Sequence, residues 1–288
     1  MQDGYAELSE VRLHYVEAGA GPLVVLLHGF PEFWYSWRHQ IAALAAAGFR
    51  VVAPDLRGYN LSSRPASISA YRTGRLAGDV RDLIHERGET SALLAGHDWG
   101  AAVAWATAMS HPDAVRRLAI LNLPHPRRLA RALRDPRQLA KSWYMFFFQL
   151  PWLPERLARA QRWSALRRGL ERDPRPGTFT AQDIDRYVEA WSQPGALRGM
   201  INYYRAAFRH RPGPSGSGLR PVTAPTLVIF GERDRYLRHQ LAEPDPADVP
   251  NLERVVRIPS ASHWVQNDEP ERVNELLIEF FSPALDSR

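Results

Sequence analysis

The chain has 288 residues, 45% hydrophobic and 24% charged, a balance that suits a globular protein with room for a sizeable core. It has no cysteine, which excludes disulfides, thiolate catalysis and cysteine-based metal sites together. No apolar run approaches the roughly 18 residues of a membrane-spanning helix, so no stable membrane insertion is expected. The net charge of +6 is uneven: residues 127–211 hold 18 Lys/Arg against 7 Asp/Glu, and Lys141 is the only lysine.

The first residues, Met1–Tyr5, carry no basic region followed by an apolar stretch, and the expected location is cytoplasmic. Val11–Tyr15 alternates in polarity like an early antiparallel edge strand. Short apolar runs at Leu23–Leu27, Val51–Ala53, Ala92–Ala95 and Leu118–Leu121 read as buried strands, each flanked by Gly, Pro or Asp. Helical patterns fall between and after them, at about Trp37–Ala47, Gly74–Glu86 and Ala101–Ser110. Such alternation predicts an α/β fold with a mostly parallel sheet covered by helices on both faces.

From about His125 to Arg211 strand character stops, and the segment is rich in Arg, Trp, Tyr, Phe and Pro. It reads as an inserted helical lid, residues 125–218, leaving through the Pro/Gly/Ser stretch 212–218. Strands resume at Thr226–Phe230 and Val255–Ile258, and a helix near Glu271–Phe281 closes the chain. The expected organisation is therefore a core of residues 1–124 and 219–288 interrupted by the lid. The lid's arginines read as solvated helix faces; the competing reading is a basic surface for nucleic acid or anionic lipid, but no nucleic-acid motif accompanies them.

Gly96-His97-Asp98-Trp99-Gly100 joins a buried strand to a helix. Small residues two places either side of a central residue suit the sharp strand-to-helix turn that exposes a nucleophile, here Asp98 where serine hydrolases carry serine. Asp234, in Gly231-Glu232-Arg233-Asp234, and His263, in Ser260-Ala261-Ser262-His263-Trp264, each follow a later strand. Nucleophile, acid, histidine is the chain order this fold requires, with active sites at the carboxyl ends of strands. His28-Gly29-Phe30-Pro31 follows Leu23–Leu27 and predicts an oxyanion hole made by the Phe30 and Trp99 backbone N–H groups, side chains that would also contact substrate.

These segments, together with DLRGYNLSSRP (55–65), NYYR (202–205) and SHWVQNDEP (262–270), resemble the epoxide hydrolases of the α/β-hydrolase superfamily over nearly the whole chain. The resemblance implies Asp98 as nucleophile, Asp234 as the acid supporting histidine and His263 as the base. It also implies two lid tyrosines on the epoxide oxygen: Tyr144, in Tyr144-Met145-Phe146-Phe147-Phe148-Gln149, and Tyr204, with Tyr203 as the alternative. Haloalkane dehalogenases share the aspartate nucleophile and are the competing family. One departure from many relatives is Asn60 in place of a glycine, which asparagine's tolerance of positive φ accommodates.

The chemistry explains the carboxylate. Attack on an sp³ epoxide carbon by serine would leave an ether, whereas a carboxylate leaves an ester whose carbonyl stays open to water. The departing alkoxide needs a proton, its acid having a pKa near ~15.7, and a phenol near ~10 supplies one; a halide needs only N–H donors. The expected substrate is a small lipophilic epoxide, with no metal or organic cofactor; oligomeric state is left open.

Overall fold

The computed structural model describes residues 1–210 and 220–285; the stretch 212–218 read as the lid's exit lies outside the described residues. Among these a single sheet has eight strands: β1 (Gln2–Glu7), β2 (Arg12–Ala18), β3 (Leu23–Leu27), β4 (Arg50–Pro54), β5 (Ala92–His97), β6 (Val115–Leu121), β7 (Thr226–Gly231) and β8 (Leu252–Ile258). The spatial order is β1-β2-β4-β3-β5-β6-β7-β8. β1 and β2 run antiparallel and the remainder, from β4 to β8, is parallel.

The reading of Val11–Tyr15 as an edge strand is corrected here. β2 pairs on both sides, and the edge is β1, a strand whose only fully covered residue is Ala6. Gln2, Asp3 and Gly4 are poor strand formers, so β1 is held by pairing rather than by propensity.

Every residue of β3, β5 and β7 is buried, because helices cover both faces. Alternate residues supply two separate cores. On one face Val24, Leu26, Val51, Leu93 and Ile229 meet Trp37, just before α1 (Arg38–Ala46), and Ile41 of α1, together with Leu276 and Phe281 of the last long helix (Pro270–Phe281). On the other Val25, Leu27, Leu94, Ile120 and Val228 meet α2 (Thr73–Glu86) and α3 (Trp99–Ser110).

Between β6 and β7 lie α4 (Pro126–Ala132), α5 (Pro136–Lys141), α6 (Trp143–Phe147), α7 (Leu153–Arg172), α8 (Ala181–Ser192) and α9 (Ala196–Arg209), with no strand among the described residues. α7 is broken at Ala160–Trp163, where Gln161, Arg162 and Trp163 have positive φ. α8 starts with a reciprocal capping box between Thr180 and Asp183. Specific bonds seat this helical segment on the sheet. The Trp191 indole donates to the Pro31 carbonyl at 2.5 Å, Tyr35 Oη to Asp183 at 2.8 Å and Tyr203 Oη to the Arg57 carbonyl at 2.8 Å.

The arginine-rich segment is only partly solvated. Arg127 pairs with Asp248, Arg128 and Arg131 with Asp245, and Arg205 with Glu155. Among the described residues no helix is long and apolar enough to cross a membrane.

Candidate active site

Asp98 stands immediately after β5 and before α3 with φ +50° and ψ −119°, a conformation that side chains rarely adopt and that marks functional turns. Glycine makes this turn possible. A Cβ on Gly96 would meet the Gly100 carbonyl oxygen at 2.5 Å, and one on Gly100 would meet the Leu27 carbonyl oxygen at 2.0 Å. The elbow is therefore packed directly against the end of β3, where His28-Gly29-Phe30 begins.

That packing fixes the carboxylate. The Phe30 N–H donates to Asp98 Oδ1 at 2.8 Å, and His263 Nε2 lies 3.5 Å from Asp98 Oδ2. His263 Nδ1 is 2.7 Å from Asp234 Oδ2. Asp234 is itself saturated: its Oδ1 accepts the Tyr236 and Leu237 N–H groups at 2.7 and 2.8 Å, and its Oδ2 also accepts Asn122 Nδ2 at 2.7 Å. The acid, histidine and elbow aspartate predicted from three distant segments thus form one hydrogen-bonded line.

Burial disfavours charge on both Asp98 and His263, but each charge offsets that cost for the other. For Asp98 the His263 hydrogen bond and charge, with His97 and the Phe30 N–H, outweigh burial and hold its pKa below the ordinary value. For His263, burial is outweighed by the charges and hydrogen bonds of Asp234 and Asp98, and the imidazole is pushed up to about 10. At neutral pH the resting pair is a carboxylate facing an imidazolium.

The helical segment closes the site with rings. Tyr204 is buried, its ring edge-on to Trp99 at 5.0 Å, Phe30 at 5.3 Å and Tyr144 at 5.8 Å. Phe148 packs on both Tyr204, at 4.9 Å, and Phe30, at 5.4 Å. Burial first, and then the Asp98 charge, raise both Tyr144 and Tyr204 well above the ordinary tyrosine value, while the Trp99 indole partly opposes this at Tyr204. Both phenols therefore stay protonated beside the carboxylate. Tyr203, the alternative read from sequence, points the other way and spends its hydroxyl on the Arg57 carbonyl.

Trp99 supplies the first residue of α3; among the described residues its amide makes no hydrogen bond to Asp98, whereas the Phe30 amide does. Asn60 adopts φ +38°, the conformation asparagine tolerates, and its Nδ2 donates to Asp55 at 2.8 Å. No group of three or more His, Asp or Glu among the described residues converges to hold a metal ion.

Three contributors escaped sequence reasoning. Asn122, the first residue after β6, bridges Asp234 and the Gly231 N–H through its two amide atoms. His97 and Glu32 form a fully buried pair at 2.8 Å, with His97 Nε2 donating to the His263 carbonyl at 2.8 Å. Asp268 accepts from Ser262 and also from the Arg175 N–H and Thr178 hydroxyl of the helical segment. A polar residue immediately after a fully buried strand was the available signal for Asn122.

Comparison with known proteins meets this geometry. A profile of the alpha/beta hydrolase fold matches residues 22–270. The chain is 41% identical over 279 residues to the AB hydrolase superfamily protein YfhM of Bacillus subtilis (strain 168), covering 96% of each. It is 40% identical over 282 residues to Epoxide hydrolase 4 of Homo sapiens, covering 94% of this chain and 76% of that one. The chain belongs to the epoxide hydrolases of the alpha/beta hydrolase fold. A solved epoxide hydrolase of this family, from Bacillus megaterium and in complex with an inhibitor, superposes with a TM-score of 0.87 at 32% identity, covering 97% of this chain and all of that one. The relatives and neighbours named here give the dehalogenase alternative no support.

Proposed function

We propose that this epoxide hydrolase opens a small lipophilic epoxide to a vicinal diol through an ester on Asp98, under a lid formed by the helical segment between β6 and β7. The observation that carries the reading is the placement of one carboxylate between two kinds of partner. Asp98 faces His263 on the core side and lies within the electrostatic reach of both tyrosines on the other.

Asp98 Oδ1 accepts the Phe30 N–H at 2.8 Å, while Oδ2 has only the longer 3.5 Å contact with His263 Nε2, so Oδ2 is the oxygen assigned to the attack. Oδ2 bonds to one epoxide carbon, that carbon's bond to the ring oxygen breaks, and the oxygen takes a proton from Tyr144 or Tyr204. Negative charge leaves Asp98 as it reaches the departing oxygen. The carboxylate's own contribution to raising the phenol pKa values disappears in the same step, which favours proton transfer.

Ester formation also prepares the second step. Once Asp98 is neutral, His263 loses one of the charges that hold its pKa up, releases its proton and becomes a base. It then takes a proton from water, whose oxygen adds to Asp98 Cγ. The oxyanion that forms on Oδ1 is already within the Phe30 N–H bond, and the Trp99 amide is the second donor in this reading; such a donor contributes about 3 kcal/mol. Collapse breaks the bond between Cγ and the alkyl oxygen, and the alcohol takes its proton from His263. The proton of the regenerated Asp98 carboxyl passes back to His263, and the tyrosine regains from solvent the equivalent of the proton His263 had released. Asp234, with four donors on its two oxygens, keeps the imidazole oriented.

A turnover panel of terminal, aryl and trans-disubstituted epoxides beside haloalkanes, scored for diol and halide, tests this. Diol from at least one epoxide is expected. Halide release with no epoxide turned over would reject the reading in favour of a dehalogenase.

A further inference from the structure

Six of the nine large hydrophobic residues that stand exposed among the described residues fall within nineteen positions of the helical segment: Leu139, Trp143, Phe146, Leu150, Trp152 and Leu157. Trp143 is 63% and Trp152 65% exposed, a large cost for a surface with no partner. Leu139, Trp143 and Phe146 line one shallow groove of about 480 Å³. The other three continue the run into α7.

Positive charge accompanies this patch and differs from the rest of the segment's charge. Arg127, Arg128, Arg131 and Arg205 are engaged by acids. Arg134, Arg137, Arg156 and Arg159 are exposed, and among the described residues they form no ion pair. Arg156 and Arg159 flank Leu157, and Arg137 precedes Leu139 by two positions. Exposed tryptophan and leucine interleaved with arginine outside these ion pairs suit an interface that is apolar beneath and anionic above, as at a bilayer with acidic headgroups.

A second cavity, of about 280 Å³, adjoins the groove and is lined by Ala140, Lys141, Trp143, Arg235 and Tyr236. The Tyr236 ring lies 5.1 Å from the His263 ring and 5.7 Å from that of Tyr144. One side chain thus separates the arginine-flanked patch from the candidate active site.

We infer that this face, α5 to the start of α7, docks peripherally on an anionic lipid bilayer and turns the cavity beside Tyr236 toward lipid-dissolved substrate. The docking stands on the surface alone; the delivery of an epoxide rests on the function proposed above.

Co-sedimentation of the full chain with vesicles of phosphatidylcholine, alone or mixed with phosphatidylglycerol, tests it. Binding to the mixed vesicles, weak on the neutral ones and falling with added salt, is expected. Arg156→Ala with Arg159→Ala should lower that partition about 30-fold. Trp152→Ser with Leu157→Ser should lower it as well, with turnover of a water-soluble epoxide unchanged in both variants. Equal binding to both vesicle types, or none, would overturn the proposal. So would a concentration-dependent dimer lost in the tryptophan variant, which would assign the patch to a second copy, or salt-sensitive retention on duplex DNA with vesicles ignored. Vesicle binding by a chain that turns over no epoxide would uphold the docking and reject the proposed function instead.

Discussion

The two halves of the candidate site are built on different physics. On the sheet side, Asp98 and Asp234 accept hydrogen bonds of 2.7–2.8 Å from backbone amides and Asn122, and His263 is held by its 2.7 Å bond to Asp234, all on segments that follow strands. On the helical side, Tyr144 and Tyr204 are held mainly by ring packing at 4.9–6.0 Å against Phe148, Phe30 and Trp99. Directional bonds fix a reacting oxygen within narrow limits, whereas edge-on rings tolerate small repacking. The first half therefore holds its groups more narrowly than the second.

The comparison breaks most visibly on the ring side. Tyr144→Phe combined with Tyr204→Phe removes both proton donors and should reduce diol formation by about 10⁴-fold, since a positioned general acid contributes 10²–10⁴. Steady-state diol assays check this, and retained activity would remove the tyrosines from the mechanism. Asn122→Ala addresses the hydrogen-bonded side. Losing a donor to a charged carboxylate should slow single-turnover ester hydrolysis about tenfold or more, with the alkylation step much less affected.

The charge coupling can be read directly. In the wild-type chain the His263 imidazole should titrate near 10, followed by its ring resonances in NMR. In Asp98→Asn one of the supporting charges is gone, and the midpoint should fall below that value. Because the folded pKa lies above the ordinary histidine value, stability from this group is complete below pH about 6.5 and is lost as pH rises through about 10. The smallest effect is expected for Tyr203→Phe. It loses one buried hydrogen bond to the Arg57 carbonyl, costing about 1 kcal/mol of stability in a denaturant titration while diol formation is largely kept.

The same contrast explains what the sequence could reveal. Strand-end positions are legible because a fully buried strand is a continuous apolar run and the residue after it is conspicuous. Asp98 is legible that way, with the glycines at 96 and 100 announcing the turn, whereas Asp234 lies three residues past β7 and His263 five past the only partly buried β8, so their chain order and the family resemblance carry them. β1 was not legible, since Gln2–Glu7 has neither apolar alternation nor β-branched residues, and only its pairing with β2 makes it a strand. Tyr144 and Tyr204 rested on family resemblance, because aromatic residues in a helical segment look alike whether they pack or react. The structure separates the two adjacent tyrosines: Tyr203 bonds the Arg57 carbonyl, while Tyr204 packs on Phe30, Tyr144 and Phe148 within the influence of Asp98. The His97–Glu32 pair was hidden because nothing local indicates that residues 65 apart share one buried site.

The covalent ester on Asp98 is the central claim, and intact-mass analysis of His263→Gln tests it most directly. With the base removed, attack should proceed while hydrolysis stalls, so the protein should gain the mass of one epoxide, mapped to the peptide containing Asp98. A variant that gains no mass while free epoxide is still consumed, or an adduct on any other residue, would contradict the account.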